Sequence, residues 1–192
     1  THIPETVNLT VSKIWDDNNN QDGIRPRSLR VDLSNGRRVT LNEGNGWSDT
    51  ITGLPRYNAG QEITYAWTEA EVRGYTQTGS VTAGSSTVIT NRHETDTTVA
   101  TVVKVWDDDE DRDGVRPESV TVSLSNGQNV TLSAENNWTA TVTGLPVNEN
   151  GEPISYTWRE ESVEGYALTT AVSGTTTTLT NTHTPETVKV KV

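Results

Sequence analysis

The chain of 192 residues contains no cysteine, so neither disulfide bonds nor thiol chemistry is available to it. Small extracellular domains with little core often depend on such covalent links. No apolar run approaches the roughly 20 residues that a membrane-spanning helix requires. We therefore expect no membrane insertion, no cofactor held through cysteine, and a source of stability other than a disulfide.

Basic side chains are also scarce. The chain has 15 Lys and Arg against 26 Asp and Glu, a formal net charge of −11. Nucleic-acid binding needs basic patches that neutralise phosphates, so nucleic acid is excluded as an expected partner. Apolar residues make up only 31% of the chain. That balance favours thin all-β modules with polar outer faces over a helical protein.

The sequence repeats itself at a spacing of 91 residues. The stretch KIWDDNNNQDGIRP from Lys13 returns as KVWDDDEDRDGVRP from Lys104. Near the end of each copy the spacing falls to 90, which we interpret as the loss of one residue from a loop between Gly74 and Ile89. Self-similarity at a fixed period indicates a tandem array.

We divide the chain accordingly. Residues 1–93 form the predicted first repeat and residues 94–184 the second. Residues 185–192 repeat the opening of the chain and are predicted to begin a third repeat. We therefore expect the chain to be a piece of a longer tandem array.

Each repeat is predicted to be a β-sandwich. Apolar residues alternate with polar ones from Val7 to Trp15, from Ile63 to Glu69, and again from Ile154 to Glu160, the pattern of half-buried strands. Turn-forming pairs separate the strands, namely Asn35-Gly36, Leu54-Pro55 and Asn126-Gly127. About seven strands in a repeat of this size predict an Ig-like fold, so the chain is expected to hold two tandem Ig-like β-sandwich domains.

Three polar residues of each repeat share a strand face with apolar residues, because residues i and i+2 of a strand point the same way. In the first repeat these are Lys13, Glu69 and Asn91, and in the second Lys104, Glu160 and Asn181. Lys13 is the only lysine of residues 1–93, and Lys104 is the only lysine of residues 94–184. The alternative is that these residues sit at strand ends with their polar tips in water.

If the three residues of a repeat are buried together, their side chains can react with one another. A buried lysine has a lowered pKa and becomes a neutral nucleophile. A protonated carboxyl can donate to an amide oxygen and polarise its carbonyl carbon. The asparagine amide is then the electrophile, and the products would be a Lys–Asn amide crosslink and ammonia.

The repeats resemble the Cna B-type repeat domains of Gram-positive surface adhesins and pilins. The first repeat carries the resemblance in Lys13–Asp17, Asp22–Pro26, Tyr65–Glu69 and Ile89–Asn91. The second repeat carries it in Lys104–Asp108, Asp113–Pro117, Tyr156–Glu160 and Leu179–Asn181. The resemblance implies an inverse-Ig fold and a spontaneous isopeptide bond in each repeat. It implies the crosslinks Lys13–Asn91 and Lys104–Asn181, assisted by Glu69 and Glu160.

The resemblance also implies a structural stalk rather than an enzyme with turnover. Such a stalk is extracellular, at the cell surface, and anchored to the cell wall in the parent protein. Its expected partners are neighbouring repeats, and host extracellular matrix through a head domain that these residues do not include. We expect a monomer and no cofactor. The rival interpretations are a binding module that grips matrix protein or glycan through loops or tryptophans, and an enzyme.

The acidic loop of the second repeat invites a metal-site interpretation. Asp109, Asp111, Asp113 and Gly114 fit the opening of a calcium loop, but Val120 stands where such a loop needs a bidentate glutamate. We predict a solvated turn and no metal, with calcium as the open alternative. We also predict core positions on strands for the six tryptophans. The three histidines lie at the joints between successive repeats, and we expect them to be exposed and not to act as ligands. They are His2, His93 and His183.

Overall fold

The structure, a computed structural model, describes residues 4–191, so His2 lies outside the described residues. These residues form strands joined by turns, and their only helical elements are two 3₁₀ turns, Glu43–Asn45 and Ala134–Asn136. No helix in this range is long and apolar enough to cross a membrane. The chain forms two compact units: the first comprises the residues up to Thr95 together with Asn148–Glu152, and the second comprises Asp96–Val147 and the residues from Pro153 onward. The predicted all-β class is confirmed.

The first repeat contains nine strands, seven of three residues or more and two of only two residues. They are β1 (Thr6–Asp16), β2 (Ser28–Leu33), β3 (Arg38–Asn42), β4 (Ser48–Pro55), β5 (Tyr57–Asn58), β6 (Gln61–Glu62), β7 (Trp67–Glu69), β8 (Thr76–Ala83) and β9 (Ser86–Arg92). The seven longer strands match the predicted number for an Ig-like sandwich.

The strands of the first repeat form a four-stranded sheet, β4-β1-β9-β8, and a three-stranded sheet, β3-β2-β7, with β5 and β6 paired separately. Neighbouring strands are antiparallel except β1 and β9, which are parallel. Because the first and last strands run side by side in one direction, the chain enters this repeat at one end and leaves it at the other.

The core of the first repeat lies between its two sheets. Strand β2 alternates buried residues with exposed or half-buried ones, the signature of a strand with one face on a core. Val11, Val31, Leu41, Leu54 and Ile89 are almost completely buried. Each such side chain stabilises the fold by about 1.5–3 kcal/mol through removal of apolar surface from water.

The second repeat has the same architecture. Its strands are β10 (Thr97–Asp107), β11 (Ser119–Leu124), β12 (Asn129–Ser133), β13 (Thr139–Pro146), β14 (Asn148–Glu149), β15 (Glu152–Pro153), β16 (Trp158–Glu160), β17 (Ala167–Ser173) and β18 (Thr176–Thr182). They form the sheets β13-β10-β18-β17, β12-β11-β16 and β14-β15. The chain is thus two tandem Ig-like β-sandwich domains. The predicted domain limits, and the assignment of residues 185–192 to a third repeat, stay predictions.

Two predicted strands, one in each repeat, form only over their last three residues. Alternation predicts a strand from Ile63 to Glu69, but β7 begins at Trp67. The residues before it bond outside a ladder: the Ile63 N–H donates to the Arg56 carbonyl, and the Ala66 N–H donates to the Ser34 hydroxyl. The strand predicted from Ile154 to Glu160 likewise starts only at β16. In both segments the alternation identifies the side chains that face the core, although the backbone forms no continuous hydrogen-bonded ladder.

The pair Leu54-Pro55 is not a turn, contrary to prediction. It ends β4, where Pro55 pairs with Thr6 of β1. Proline lacks the N–H that a central strand must donate, but β4 lies at the edge of its sheet, where that loss is tolerated. In contrast, Asn35-Gly36 is a turn as predicted, and Gly36 adopts a φ of 85° that favours glycine.

The extra residue of the first repeat lies in a strand, so its predicted place in a loop is wrong. In β8, Gln77 pairs with Asn91 and Gly79 pairs with Thr90, which leaves Thr78 without a partner on β9. In β17 every residue pairs with β18 in an uninterrupted ladder. The one-residue difference between the repeats is therefore a β-bulge at Thr78, which a strand absorbs by a local kink.

Candidate functional site: a buried lysine, glutamate and asparagine in each repeat

The three polar residues of the first repeat converge in its core. Lys13 lies on the central strand β1, and its register partner on β9 is Ile89. Asn91 lies two residues further along β9, on the same face. Glu69 belongs to the opposite sheet, where it pairs with Val31 of β2. The two sheets therefore bring together residues that the sequence places far apart.

The Glu69 carboxylate contacts both partners. Its Oε2 atom lies 2.7 Å from Lys13 Nζ, and its Oε1 atom accepts a hydrogen bond from Asn91 Nδ2 at 2.5 Å. The side chains of Lys13 and Glu69 are 0% and 2% exposed, and Asn91 is fully buried. The strand-end alternative, with polar tips in water, is wrong for this repeat.

The second repeat reproduces the arrangement. Glu160 Oε2 lies 2.9 Å from Lys104 Nζ, and Glu160 Oε1 accepts from Asn181 Nδ2 at 2.7 Å. All three residues are buried. The strand-end alternative is wrong here too, although β10 is more apolar on both faces than β1 and its sequence is less decisive.

Several polar atoms of this site lack hydrogen bonds. Asn91 Oδ1 and Asn181 Oδ1 are buried and accept none from the described residues. Lys13 Nζ and Lys104 Nζ form ion pairs with their glutamates at 2.7 and 2.9 Å, and neither has a further hydrogen-bond acceptor among the described residues. Buried charges and orphaned polar atoms are costly to a fold. The site is therefore not explained as a simple stabilising ion pair.

The lysines are shifted toward their neutral form. Burial lowers the pKa of Lys13, and the hydrogen-bonding and charge of Glu69 oppose that shift. The pKa of Lys104 is lowered by burial in the same way, with Glu160 opposing. A lysine with a lowered pKa loses its proton more readily, which is the requirement for a nucleophilic amine.

A tryptophan covers each lysine. Lys13 Nζ lies 4.9 Å from the centre of the Trp15 ring, and Lys104 Nζ lies 4.6 Å from that of Trp106. Trp15 also packs edge-on against Trp47 and Tyr75. Its position two residues after Lys13 could have predicted this role, since such residues share a strand face. These rings keep water away from the amine.

None of the six tryptophans forms an exposed platform. Trp67 and Trp158 are buried, and the other four are half-buried. The predicted core positions are confirmed, but the prediction that each lies on a strand is wrong for Trp47 and Trp138. These two follow the 3₁₀ turns with φ of 57°, where each carbonyl accepts the N–H of the lysine in its repeat.

In the first repeat, the loop that follows β1 is held by a buried aspartate that the sequence analysis did not single out. Asp17 pairs with the Arg25 guanidinium through both carboxylate oxygens, and it accepts from the Tyr75 hydroxyl and the Asn20 N–H. Burial acts to raise the pKa of Asp17, but these hydrogen bonds outweigh it and the pKa lies below its ordinary value. The recurrence of this aspartate, arginine and tyrosine in both repeats was the available signal.

In the second repeat the same cluster consists of Asp108, Arg116 and Tyr166. The hydrogen bond from Arg116 is the main reason that the pKa of Asp108 lies far below its usual range. Burial, followed by the bond to Asp108, raises the pKa of Tyr166 to about 12. The cluster therefore stays charged on Asp108 and neutral on Tyr166 across the physiological range.

The carboxylates proposed for calcium are engaged by protein groups. Asp111 accepts from the Arg116 N–H, Asp113 accepts from the Glu186 N–H, and Asp109 pairs with Arg112. Within residues 4–191, no group of three or more His, Cys, Asp or Glu side chains is gathered as metal ligands. The absence of a metal stays a prediction.

The joint histidines are not freely exposed, contrary to prediction. Both ring nitrogens of His183 meet acceptors, the Gly165 carbonyl at 2.8 Å and the Asp113 carboxylate at 3.1 Å. His93 has the matching pair of contacts with Gly74 and Asp22. A carbonyl and an ionised carboxylate only accept hydrogen bonds, so protonation of both ring nitrogens of His183 would satisfy both of its contacts. The Gly165 carbonyl and then Asp113 raise the pKa of His183.

Comparison with known proteins agrees with this architecture. The family model of the Cna protein B-type domain matches residues 9–92 and 100–182. The collagen adhesin of Staphylococcus aureus is 39% identical over 194 residues, which is 96% of this chain but only 16% of that protein. The crystal structure of two B repeat units of the Staphylococcus aureus collagen binding protein superposes with a TM-score of 0.83 at 39% identity, covering 94% of this chain and 50% of that one.

The family match and the fold are concordant. Both repeats are matched over most of their length, and each has the paired sheets described above. The chain spans much less than two thirds of the collagen adhesin that it resembles. The chain belongs to the Cna protein B-type domain family.

Proposed function

We propose that each repeat closes an intramolecular amide bond between its lysine and its asparagine, and that the crosslinked repeats form a structural spacer. The observation that carries the proposal is the glutamate that contacts both partners at once. Glu69 lies between Lys13 and Asn91, and the second repeat has the same contacts. An ion pair that served only to stabilise the fold would not require a buried asparagine amide in contact with its carboxylate.

The reaction begins with a proton transfer within the ion pair. The Lys13 ammonium gives a proton to the Glu69 carboxylate across their 2.7 Å contact, which leaves a neutral amine and a carboxyl. Desolvation favours this neutral pair over two buried charges. The amine is then the nucleophile, and Glu69 is the acid that assists it.

The electrophile is the Asn91 carbonyl carbon. Half a turn of the amide about its Cβ–Cγ bond brings Oδ1 to the Glu69 oxygen that now contacts Nδ2. There a protonated carboxyl donates to Oδ1 and polarises the carbonyl. Asn91 Oδ1 has no hydrogen bond to give up in that movement, which supports the proposal.

Bond formation releases ammonia. Lys13 Nζ attacks Asn91 Cγ, so a Cγ–Nζ bond forms and the Cγ–Nδ2 bond breaks. Nζ gives up one proton, Glu69 relays it, and Nδ2 departs with it as ammonia. The reaction consumes its own side chains in a single turnover. The repeats are therefore proposed to be structural elements and not enzymes.

The fold suits a spacer. Because β1 and β9 are parallel neighbours, the chain crosses the first repeat from end to end, and the second repeat does the same through β10 and β18. A bond from Lys13 to Asn91 would join the first strand directly to the last. Tension would then follow the crosslink and bypass most of the sandwich.

We infer the setting from the relatives. The chain resembles a collagen adhesin, so we place its repeats outside the cell, in a longer surface protein anchored to a Gram-positive cell wall. Neighbouring repeats are the proposed partners, and contact with host matrix belongs to a separate head domain. The repeats act as monomers and need no cofactor.

Intact-mass spectrometry tests the chemistry. Two bonds should make the chain about 34 Da lighter than its sequence, because each releases one ammonia of about 17 Da. Glu69→Gln keeps the side-chain volume but cannot relay the proton, so this variant should lose only about 17 Da. A parent mass equal to that of the sequence would refute the crosslinks. Loss of both ammonias by the Glu69→Gln variant would remove Glu69 from the mechanism.

A further inference from the structure

The edge strand β17 of the second repeat lacks the usual protection. It pairs only with β18, and its other side is the edge of the four-stranded sheet. All seven of its side chains are exposed. Its sequence ALTTAVS contains no charge, proline or glycine, and its ladder has no bulge. Proteins normally blunt a free edge with one of these devices.

The pairing identifies which backbone groups face outward. Ser173 and Thr176 flank a two-residue turn, so they form a hydrogen-bonded pair. Because such pairs alternate with non-bonded ones, the N–H and C=O groups of Leu168, Thr170 and Val172 point to the open edge. These three residues provide a regular row of unpaired donors and acceptors.

A cleft lies beside this row. Thr170 pairs with the buried Leu179 and Val172 with the buried Thr177, so their side chains are on the core face. Val172 is nevertheless 71% exposed, because the sandwich is open here. The cleft has a volume of about 430 Å³, and Ile154, Tyr156 and Trp158 line its opposite side. A strand added to β17 would direct alternate side chains into this cleft.

Charge favours a basic occupant over a second copy of the chain. Residues 94–192 contain 16 acidic and 6 basic side chains, a net charge of −10, whereas residues 1–93 contain 10 and 9. A second copy would bring the same excess of negative charge and be repelled. A peptide with basic flanks would be attracted.

We propose that the β17 edge and its cleft form a docking site for an extended, basic segment of a partner protein. The segment adds as a strand to β17, with main-chain hydrogen bonds to Leu168, Thr170 and Val172 and apolar side chains in the cleft. The first repeat has a comparable cleft beside β8, but the bulge at Thr78 leaves only Gly79–Ala83 as regular edge. That repeat is also nearly neutral.

The test uses a synthetic peptide of alternating valine and threonine with two lysines at each end. It is titrated at low ionic strength into the isotopically labelled full chain, and backbone amide NMR signals are followed. We expect saturable shifts at Leu168, Thr170 and Val172 and slower hydrogen exchange of their amides. The same peptide with glutamate in place of lysine should bind at least about tenfold more weakly.

Two variants assign the site. Thr170→Pro removes an outward N–H without breaking a bond to β18, and should weaken binding by about tenfold or more. Val172→Lys changes an exposed residue and places a charge on the edge, with the same expected effect. Ser80→Pro, at the matching position of β8, is the control and should leave binding unchanged. Circular dichroism verifies that each variant is folded.

Three outcomes would overturn the proposal. The first is no saturable binding of the lysine-flanked peptide, and the second is binding that Thr170→Pro and Val172→Lys leave unchanged. The third is a dimer of the peptide-free chain, measured by sedimentation, that Val172→Lys abolishes. That result would make a second copy the occupant. None of these results bears on the lysine–asparagine crosslink, which intact mass tests separately.

Discussion

Asn91 lies on β9 two residues beyond Ile89, the register partner of Lys13, so the lysine and the asparagine are diagonal neighbours on adjacent parallel strands. A bond between them would enclose residues 13 to 91, a loop of 79 residues. By analogy with disulfides, constraining a loop of this length in the unfolded chain stabilises the fold by about 4–5 kcal/mol. That is a large part of the stability of a small domain, typically about 5–15 kcal/mol.

Lys13→Ala should therefore destabilise the first repeat strongly. The variant loses the proposed bond and leaves Glu69 buried without its cation. Since 1 kcal/mol shifts the melting temperature of a domain of this size by about 4–8 °C, we predict a fall of more than about ten degrees and new sensitivity to protease. Calorimetry should show the second repeat melting as before. Lys104→Ala is the reciprocal control. A Lys13→Ala chain that melts and digests like the parent would contradict the crosslink.

Asp108→Asn should destabilise the second repeat at neutral pH. Hydrogen bonds to a charged group contribute about 1.5–3 kcal/mol each, and Asp108 accepts several. We predict a loss of about 2–3 kcal/mol in urea unfolding at pH 7. The exposed Asp109 pairs only with Arg112 at the surface, so Asp109→Asn should change stability by less than about 1 kcal/mol.

The acid dependence of that effect has a definite sign. The pKa of Asp108 is depressed in the folded state, so its contribution is present above the ordinary value of about 3.9 and is lost as pH falls through the folded value. The difference between the parent and Asp108→Asn should therefore shrink at strongly acid pH. An effect of equal size at both ends of the range would show that the variant acts through packing.

His183 should give the opposite dependence on pH. Its pKa is raised in the folded state, so its contribution is fully present below about 6.5 and is lost as pH rises through the raised folded value. We predict that the melting temperature of the second repeat falls as the pH rises from about 6.5 through the folded pKa of His183. The His183→Gln variant should not show this fall. An NMR titration of the ring should give a folded pKa above that of a free histidine. Parallel pH profiles for parent and variant would contradict this assignment.

Calcium should have little effect on stability. The Asp111 and Asp113 carboxylates already accept hydrogen bonds from backbone N–H groups. A bound ion at a hundredfold excess over its Kd would stabilise the fold by about 2.7 kcal/mol. We predict that adding chelator shifts the melting temperature by no more than about two degrees. A large downward shift would restore the calcium interpretation of this loop.

The sequence predicted the trio well because strand alternation is a strong local rule. Lys13, Glu69 and Asn91 each shared a face with apolar neighbours, and the structure brings them together. Alternation also places Trp15 on the strand face of Lys13, but it could not show that Trp47 lies outside a strand, because that depends on the 3₁₀ turn before β4. A period of two identifies the core-facing side chains, but it does not report where the backbone ladder stops.

The missed features depend on contacts between distant residues. Asp17 and Tyr75 are 58 positions apart, and nothing local in either segment predicts their hydrogen bond. Both repeats contain the pair, and this recurrence was the available signal, but it does not show that the two residues meet in a buried cluster. The bulge at Thr78 was equally hidden, since a changed spacing shows that a residue was gained or lost without showing whether a loop or a strand contains it.

Each lysine, glutamate and asparagine trio belongs to a single repeat. A copy can therefore be duplicated or deleted as a whole without separating a lysine from its asparagine, and every remaining copy keeps a complete set. A gene that encodes such an array can change the length of its product by unequal recombination while each module stays chemically self-sufficient. No module needs a residue of its neighbour to complete its trio, so the number of modules can change without the loss of any trio.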